Sequence, residues 1–289
     1  MKRYGSGLLF IVISIAVSGC SAGYMGSGLN DLHRSAGILD KSLEGVITEI
    51  ISRDMELRAE KSAARTSIQV SDLEPASLAF AHLNLRRELT GCLAEYTGLL
   101  KAFFERDHSA SAADYGKALR ESLDQIRSDY PALISNEAGS LIASVISAVP
   151  EGLTFTRKRK YALKLMAAMQ DVIGKVTVKL TEEVTSLRIL APNLYARLFR
   201  EKVEKKWPDN EEKRVKSALT GVKIIKQREK FIALADDLIN VLEILPSAHR
   251  KLMDAFRKNG GRLTGLTDLM TVSLRLAGNL AVFSKGNEQ

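Results

Sequence analysis

From residue 29 to residue 283 apolar positions recur at intervals of three and four, and no stretch keeps the period of two that a half-buried strand needs. Leu32, Ala36, Leu39, Leu43, Val46, Ile50 and Leu57 follow a four-three spacing broken once, at Arg53. Leu78, His82, Leu85, Leu89, Cys92, Tyr96, Leu99 and Phe103 follow it without a miss, and Tyr115, Leu119, Ile126 and Tyr130 carry a third segment. Such stripes are the seams of helices packed side by side. They predict an all-α protein, an elongated bundle of about six to eight long, mostly antiparallel helices.

The breaks between seams fit this reading. Residues 71–75 (SDLEP) carry a helix-start signal, 107–112 a turn, and Tyr130-Pro131 a stop. The stretch 138–149 is apolar and small-sided, and Pro150-Glu151-Gly152 breaks it. A long helix is predicted from about residue 156 to 190, with a kink or restart at Ala191-Pro192-Asn193 and an end near Trp207-Pro208. Residues 209–245 form the next, closed by Pro246; 247–258 and 263–283 follow, separated by Asn259-Gly260-Gly261. Without repeats or a low-complexity linker, the bundle over 29–285 is expected to be continuous, with 29–150 and 151–285 as the sub-bundles if it divides.

The first 28 residues obey other rules. Lys2 and Arg3 precede an apolar run over 8–17 interrupted only by Ser14. A membrane span needs about 20 apolar residues, so this run has the length of a signal-peptide core instead. Small residues and a cysteine follow it. Val17-Ser18-Gly19-Cys20 resembles the lipobox of bacterial lipoproteins. The resemblance implies that the thiol of Cys20 receives a diacylglycerol, that residues 1–19 are cleaved, and that the new amine takes a further fatty acyl chain such as palmitate. Each buried methylene contributes about 0.8 kcal/mol, so the chains together hold a protein on a bilayer. Residues 20–28, small and Gly-rich, would be a flexible tether reaching at most about 30 Å.

The expected address is the bacterial cell envelope. In a Gram-negative host, Ser21 after the lipidated cysteine directs such proteins to the outer membrane, at its periplasmic face. No other apolar run is expected to span a membrane. With Cys20 acylated, Cys92 is the only thiol, so no intramolecular disulfide forms and stability must come from packing.

Charge then divides a chain that apolarity does not. The whole carries 42 cations against 34 acids. From 20 to 153 the count is 13 against 19; from 154 to 231 it is 20 against 9; the rest holds 7 against 6. The basic third either pairs with the acidic first half inside the fold or meets an anionic partner: phospholipid headgroups, lipopolysaccharide or another acidic glycan, or an acidic protein face. Two clusters are the candidate contacts. Arg157, Lys158, Arg159 and Lys160 crowd the first turn of a predicted helix, where cations are unfavourable and something negative should offset them. Arg200, Lys202, Lys205 and Lys206 end on Trp207, the only tryptophan. About 45 to 70 Å of helix separates the clusters, so each would act alone. Nucleic acid is not expected, given the export signal and the absence of a reading motif.

Candidate chemistry is sparse. The sequence contains no GxSxG, SxxK, HExxH, CxxC or phosphate-cradling glycine loop. Among four histidines only His108 has a metal-type neighbour, Glu105, and di-iron bundles need two such pairs plus two further glutamates. His82 and Cys92 lie about 15 Å apart along one seam, too far to pair. His33 and His249 have no legible partner. No metal, cofactor or enzymatic activity is expected. What remains is a non-catalytic scaffold or docking protein for another envelope protein, or a binder of anionic lipid or glycan through residues 154–231.

Overall fold

The computed structural model describes residues 6–63, 80–104, 109–147, 155–258 and 264–285. All regular structure in them is helical, and the protein is an all-α helical bundle. Its helices are α1 (Ser6–Ser62), α2 (Phe80–Phe104), α3 (Ser109–Asp129), α4 (Asn136–Ser147), α5 (Phe155–Phe199), α6 (Glu211–Lys258) and α7 (Thr264–Lys285). A π-helix, Arg200–Glu204, continues α5.

The seams are the core. Every apolar member of the first is at most 3 % exposed. Arg53, its interruption, is half-buried and bound to Glu49 and Glu56 on its own helix. In the second seam Leu89, Cys92, Tyr96, Leu99 and Phe103 are buried, whereas the side chains of Leu78, His82 and Leu85 lie outside the described residues. Leu119 and Ile126 are buried in α3, and Tyr115 and Tyr130 half-buried.

Proline separates two kinds of site. Pro131 stops α3 as expected: Tyr130 donates its N–H to Ile126 O at 2.7 Å and the chain turns. Pro192, expected to mark a kink or restart, lies inside α5; Pro246, expected to close a helix, lies inside α6, so the helices predicted over 209–245 and 247–258 are one. An interior proline removes one N–H and crowds the carbonyl four residues back, at a cost of about 3 kcal/mol. Packing offsets this here. Ala191 and Tyr195 flank Pro192 in the core; Leu245, Ala248 and His249 do the same beside Pro246, whose carbonyl accepts from Gln170 Nε2 at 3.3 Å. The irregularity expected at residue 192 falls at the π-helix, where Lys205 donates its N–H to Arg200 O at 3.0 Å. The predicted breaks at 71–75, 150–152 and 259–261 lie outside the described residues, and α3 begins inside the predicted turn over 107–112.

Two further expectations need restating. Residues 20–28, read as a flexible tether, are helical within α1, with Gly28 buried and the side chains of 20–27 lying outside the described residues. A second segment, Leu266–Ser284 in α7, is long and apolar enough to cross a membrane by length and composition, with a mean hydropathy of 1.2. One side of it is packed: Leu266, Leu269, Ser273, Leu276 and Phe283 are buried, and Arg275 pairs with Asp237 at 2.7 Å, while Leu274 and Val282 are about half exposed.

The chain forms two compact units, each assembled from three separated stretches, so neither coincides with 29–150 or 151–285. The first comprises Met1–Gly37, Gly91–Lys175 and Ile244–Met270. Within it α2 and α3 run antiparallel: Ser122 donates to Glu95 at 2.6 Å, and Tyr115 lies so close to Gly98 that a Cβ there would sit 2.5 Å from its ring. Tyr96 meets His249 and Phe104 meets Phe256, nearly equal offsets that make α2 and α6 parallel.

The second unit comprises Ile38–Thr90, Val176–Glu243 and Thr271–Gln289. Glu49 accepts from Tyr195, Glu56 from Lys202 and Glu60 from Lys206, all at a separation of 146 residues. A constant difference means that α1 runs parallel to α5 and the segment continuing it. Arg188 pairs with Asp236 across α5 and α6, and Asp237 accepts from Arg275 and Asn279 of α7. Arg86 of α2 reaches Glu183 of α5 at 2.5 Å.

Candidate functional site

The structure gives the two basic clusters internal work. Arg159, one turn into α5, donates from Nε and Nη2 to the carbonyl of Phe256 and from Nη2 to that of Arg257, at 2.7 Å for Nε and 3.0 Å for Arg257. These carbonyls end α6, where the last turn has no intrahelical donors. Its neighbours differ: Arg157 and Lys160 are exposed, Lys158 half-buried, and none of the three has an ion pair among the described residues. The expected partner was a carboxylate or an external anion, and backbone carbonyls do the same job for Arg159. Arg159→Ala should therefore lower stability by about 1–2 kcal/mol in a urea melt, with Arg157→Gln and Lys160→Gln within about 0.5 kcal/mol of the parent. Equal behaviour of all three would show that Arg159 caps nothing.

The second cluster is paired throughout. Lys202 and Lys206 bind Glu56 and Glu60 of α1, Lys205 binds Glu201 at 2.9 Å, and Arg200 binds Glu204 at 3.7 Å. Acidic first half and basic third thus meet here inside one unit. The side chain of Cys20 and the candidate caps Thr154 and Thr156 lie outside the described residues.

A different surface stands out. Asn210 Oδ1 accepts the N–H of Lys213 at 3.4 Å, the geometry of an N-cap, and Glu211 and Glu212 favour the first turn of α6. From there one side of α6 faces its unit through Gly221, Ile224, Gln227 and Phe231. Contact is tightest at Gly221, where a Cβ would lie 2.7 Å from the ring of Phe199. The opposite side carries Val215, Leu219 and Val222, each between 45 % and 57 % exposed. At 100° per residue these three fall within about 60° of arc, and Ile225, 40 % exposed, lies about a further 60° round toward Gly221. Trp207, 53 % exposed, stands in the turn before the helix. Between 213 and 228 there are six cations and no acid. Lys216 pairs with Glu212, while Lys213, Arg214, Lys223 and Lys226 are exposed with no ion pair among the described residues. This face was missed because one apolar stripe suffices to predict a helix. The signal is the second stripe, on the side away from Ile224 and Phe231.

The remaining titratable groups serve packing. His249 is fully buried with both ring nitrogens engaged, Nε2 by Tyr96 Oη at 2.5 Å and Nδ1 by Gln170 Oε1 at 2.7 Å. Burial holds its pKa down at about 4 and drives that of Tyr96 well above the phenolic range. His33 meets Thr97 Oγ1 at 3.1 Å and the ring of Tyr115 edge-on. Cys92 is a buried free thiol, its pKa raised by burial and then by the charge of Glu95. Glu105 and His108 lie outside the described residues, among which no group of three metal-type side chains occurs. A cleft of about 550 Å³ in the second unit, between α1 and α7, is lined by Lys41, Thr48, Ser52 and Phe283 and by Glu49 and Arg53, already bonded to each other. Compared with known protein families, characterised proteins and solved structures, the chain significantly matches none.

Proposed function

We propose that the chain is a lipid-anchored protein of the bacterial cell envelope that acts without catalysis, as a helical scaffold docking a second envelope component. The observation that carries the docking reading is the outward face of α6, an apolar stripe flanked by Arg214 and Lys223, which have no ion pair among the described residues, whereas the cluster at 200–206 is consumed by internal ion pairs. Contiguous exposed apolar surface of this kind marks interaction sites. The anchoring rests on the order of basic residues, apolar core, small residues and Cys20 at the start of the chain.

Two measurements test the reading. Cys20→Ala should abolish acylation and leave residues 1–19 attached; a variant still cut before residue 20 and still partitioning with detergent would refute the anchor. A photocrosslinking side chain at Leu219 in intact cells should give an adduct, protein or lipid by mass, well above that from exposed Ser247. Equal yields at the two positions would refute docking through α6.

A further inference from the structure

The geometry points to the surface of an anionic lipid bilayer as the occupant of the outward face of α6, with Trp207 entering its interface. This rests on the docking reading above and names its partner. Three features converge on it. The stripe of Val215, Leu219 and Val222 is bordered at about 80–100° by Lys216 and Lys223 and on its other side by Arg214, so that the lysine and arginine stems flank apolar surface while their charges stay at headgroup level. Four cations, Arg214, Lys216, Lys223 and Lys226, lie on or beside the stripe, against Glu211, Glu212 and Glu229 at its two ends, a net positive face that matches a negative leaflet. The same charge opposes a second copy of the chain, because two such faces would set like charges together. Trp207 stands half-exposed in the turn that leads into this helix, and tryptophan favours the boundary between headgroups and acyl chains.

Because Trp207 is the only tryptophan, its emission reports on this site directly. The chain from residue 20 onward carrying Cys20→Ser, which has neither the apolar run over 8–17 nor an acyl chain, would be titrated with vesicles of phosphatidylglycerol and phosphatidylcholine, and with phosphatidylcholine alone. A blue shift is expected with the anionic vesicles only, fading as salt rises from about 0.05 to 0.5 M. Replacing Arg214, Lys223 and Lys226 with Gln should weaken vesicle binding at least about tenfold, since each cation near an anionic leaflet contributes up to about fivefold. Val215→Ser with Leu219→Ser and Val222→Ser should abolish the blue shift; these positions are exposed, and an unchanged thermal melt would confirm folding. Arg157→Gln with Lys160→Gln should change neither.

No shift with anionic vesicles, or an equal shift with neutral ones, overturns the inference. So does binding to polyglutamate without a vesicle response. A protein adduct at Leu219 in cells together with silent vesicles would discard the lipid and leave the docking reading standing. No adduct and no vesicle response would remove both.

Discussion

Glu49→Ala should destabilise the protein by about 3 kcal/mol, measured as a shift of the urea midpoint at neutral pH. Glu49 is 3 % exposed and accepts from Arg53 Nε and from Tyr195 Oη, each at 2.7 Å. Removing it leaves the Tyr195 hydroxyl, held in the core, without its acceptor, and a buried donor left so costs about 1–3 kcal/mol. Arg53 keeps Glu56 at 2.7 Å, so its charge is not stranded and the upper end for a broken buried pair is not reached. Burial pulls the pKa of Arg53 down, but its bonds to Glu56 and Glu49 outweigh this and raise it, so the guanidinium stays charged throughout. Tyr195→Phe, which removes only the hydroxyl, should cost less, about 1.5 kcal/mol. A loss below about 0.5 kcal/mol for Glu49→Ala would mean that this network stabilises nothing.

Acidification supplies a second large effect. His249 has a pKa near 4 in the folded protein, held down by burial, against an ordinary value of 6.5. Between these values the unfolded chain binds a proton that the folded chain refuses. Stability is therefore complete above pH 6.5 and lost as pH falls toward 4, by about 3 kcal/mol for this one group. His249→Gln keeps a polar side chain against Tyr96 and Gln170 and removes the titration. Urea melts at pH 7, 5.5 and 4.5 should show the parent losing more than the variant, the gap closing by about 2.4 kcal/mol by pH 4.5. Parallel curves for the two proteins would show that His249 does not set the acid sensitivity.

The seams were legible because helix period and burial are one fact seen twice: a residue every three or four positions must be apolar if one stripe is to face a core. Leu32 to Leu57 in α1 and Leu89 to Phe103 in α2 needed nothing more. Pro246 misled because its local cost is visible in the sequence, whereas the contacts around it come from elsewhere, Gln170 of α5 among them. His33 and His249 were opaque for the same reason: their partners Thr97 and Tyr96 lie 64 and 153 residues away. The charge imbalance correctly suggested that acidic and basic parts meet, as Glu56 and Glu60 do with Lys202 and Lys206. It could not show that Arg159 would be taken by carbonyls, since backbone carries no sequence signature. Nor did it single out the lysines of α6, which depend on which side of the helix its unit covers.

The parallel register of α1 and α5 bears on how the chain must fold. Helical bundles fold fast when neighbours in space are neighbours in sequence. Here the partners of Glu49, Glu56 and Glu60 lie 146 residues downstream. At ribosomal rates of about 5–20 residues per second, α1 waits roughly 7–30 s after its synthesis for those partners to be made. During that interval the apolar seam from Leu32 to Leu57 has, of the described contacts, those of its antiparallel neighbour α2 and of Tyr115 in α3, but not those of α5. Early capture of α1 by a holdase, and slow refolding limited by the α1–α5 contacts, are the kinetic consequences of a register that looks, in the finished protein, like three ordinary side-chain contacts.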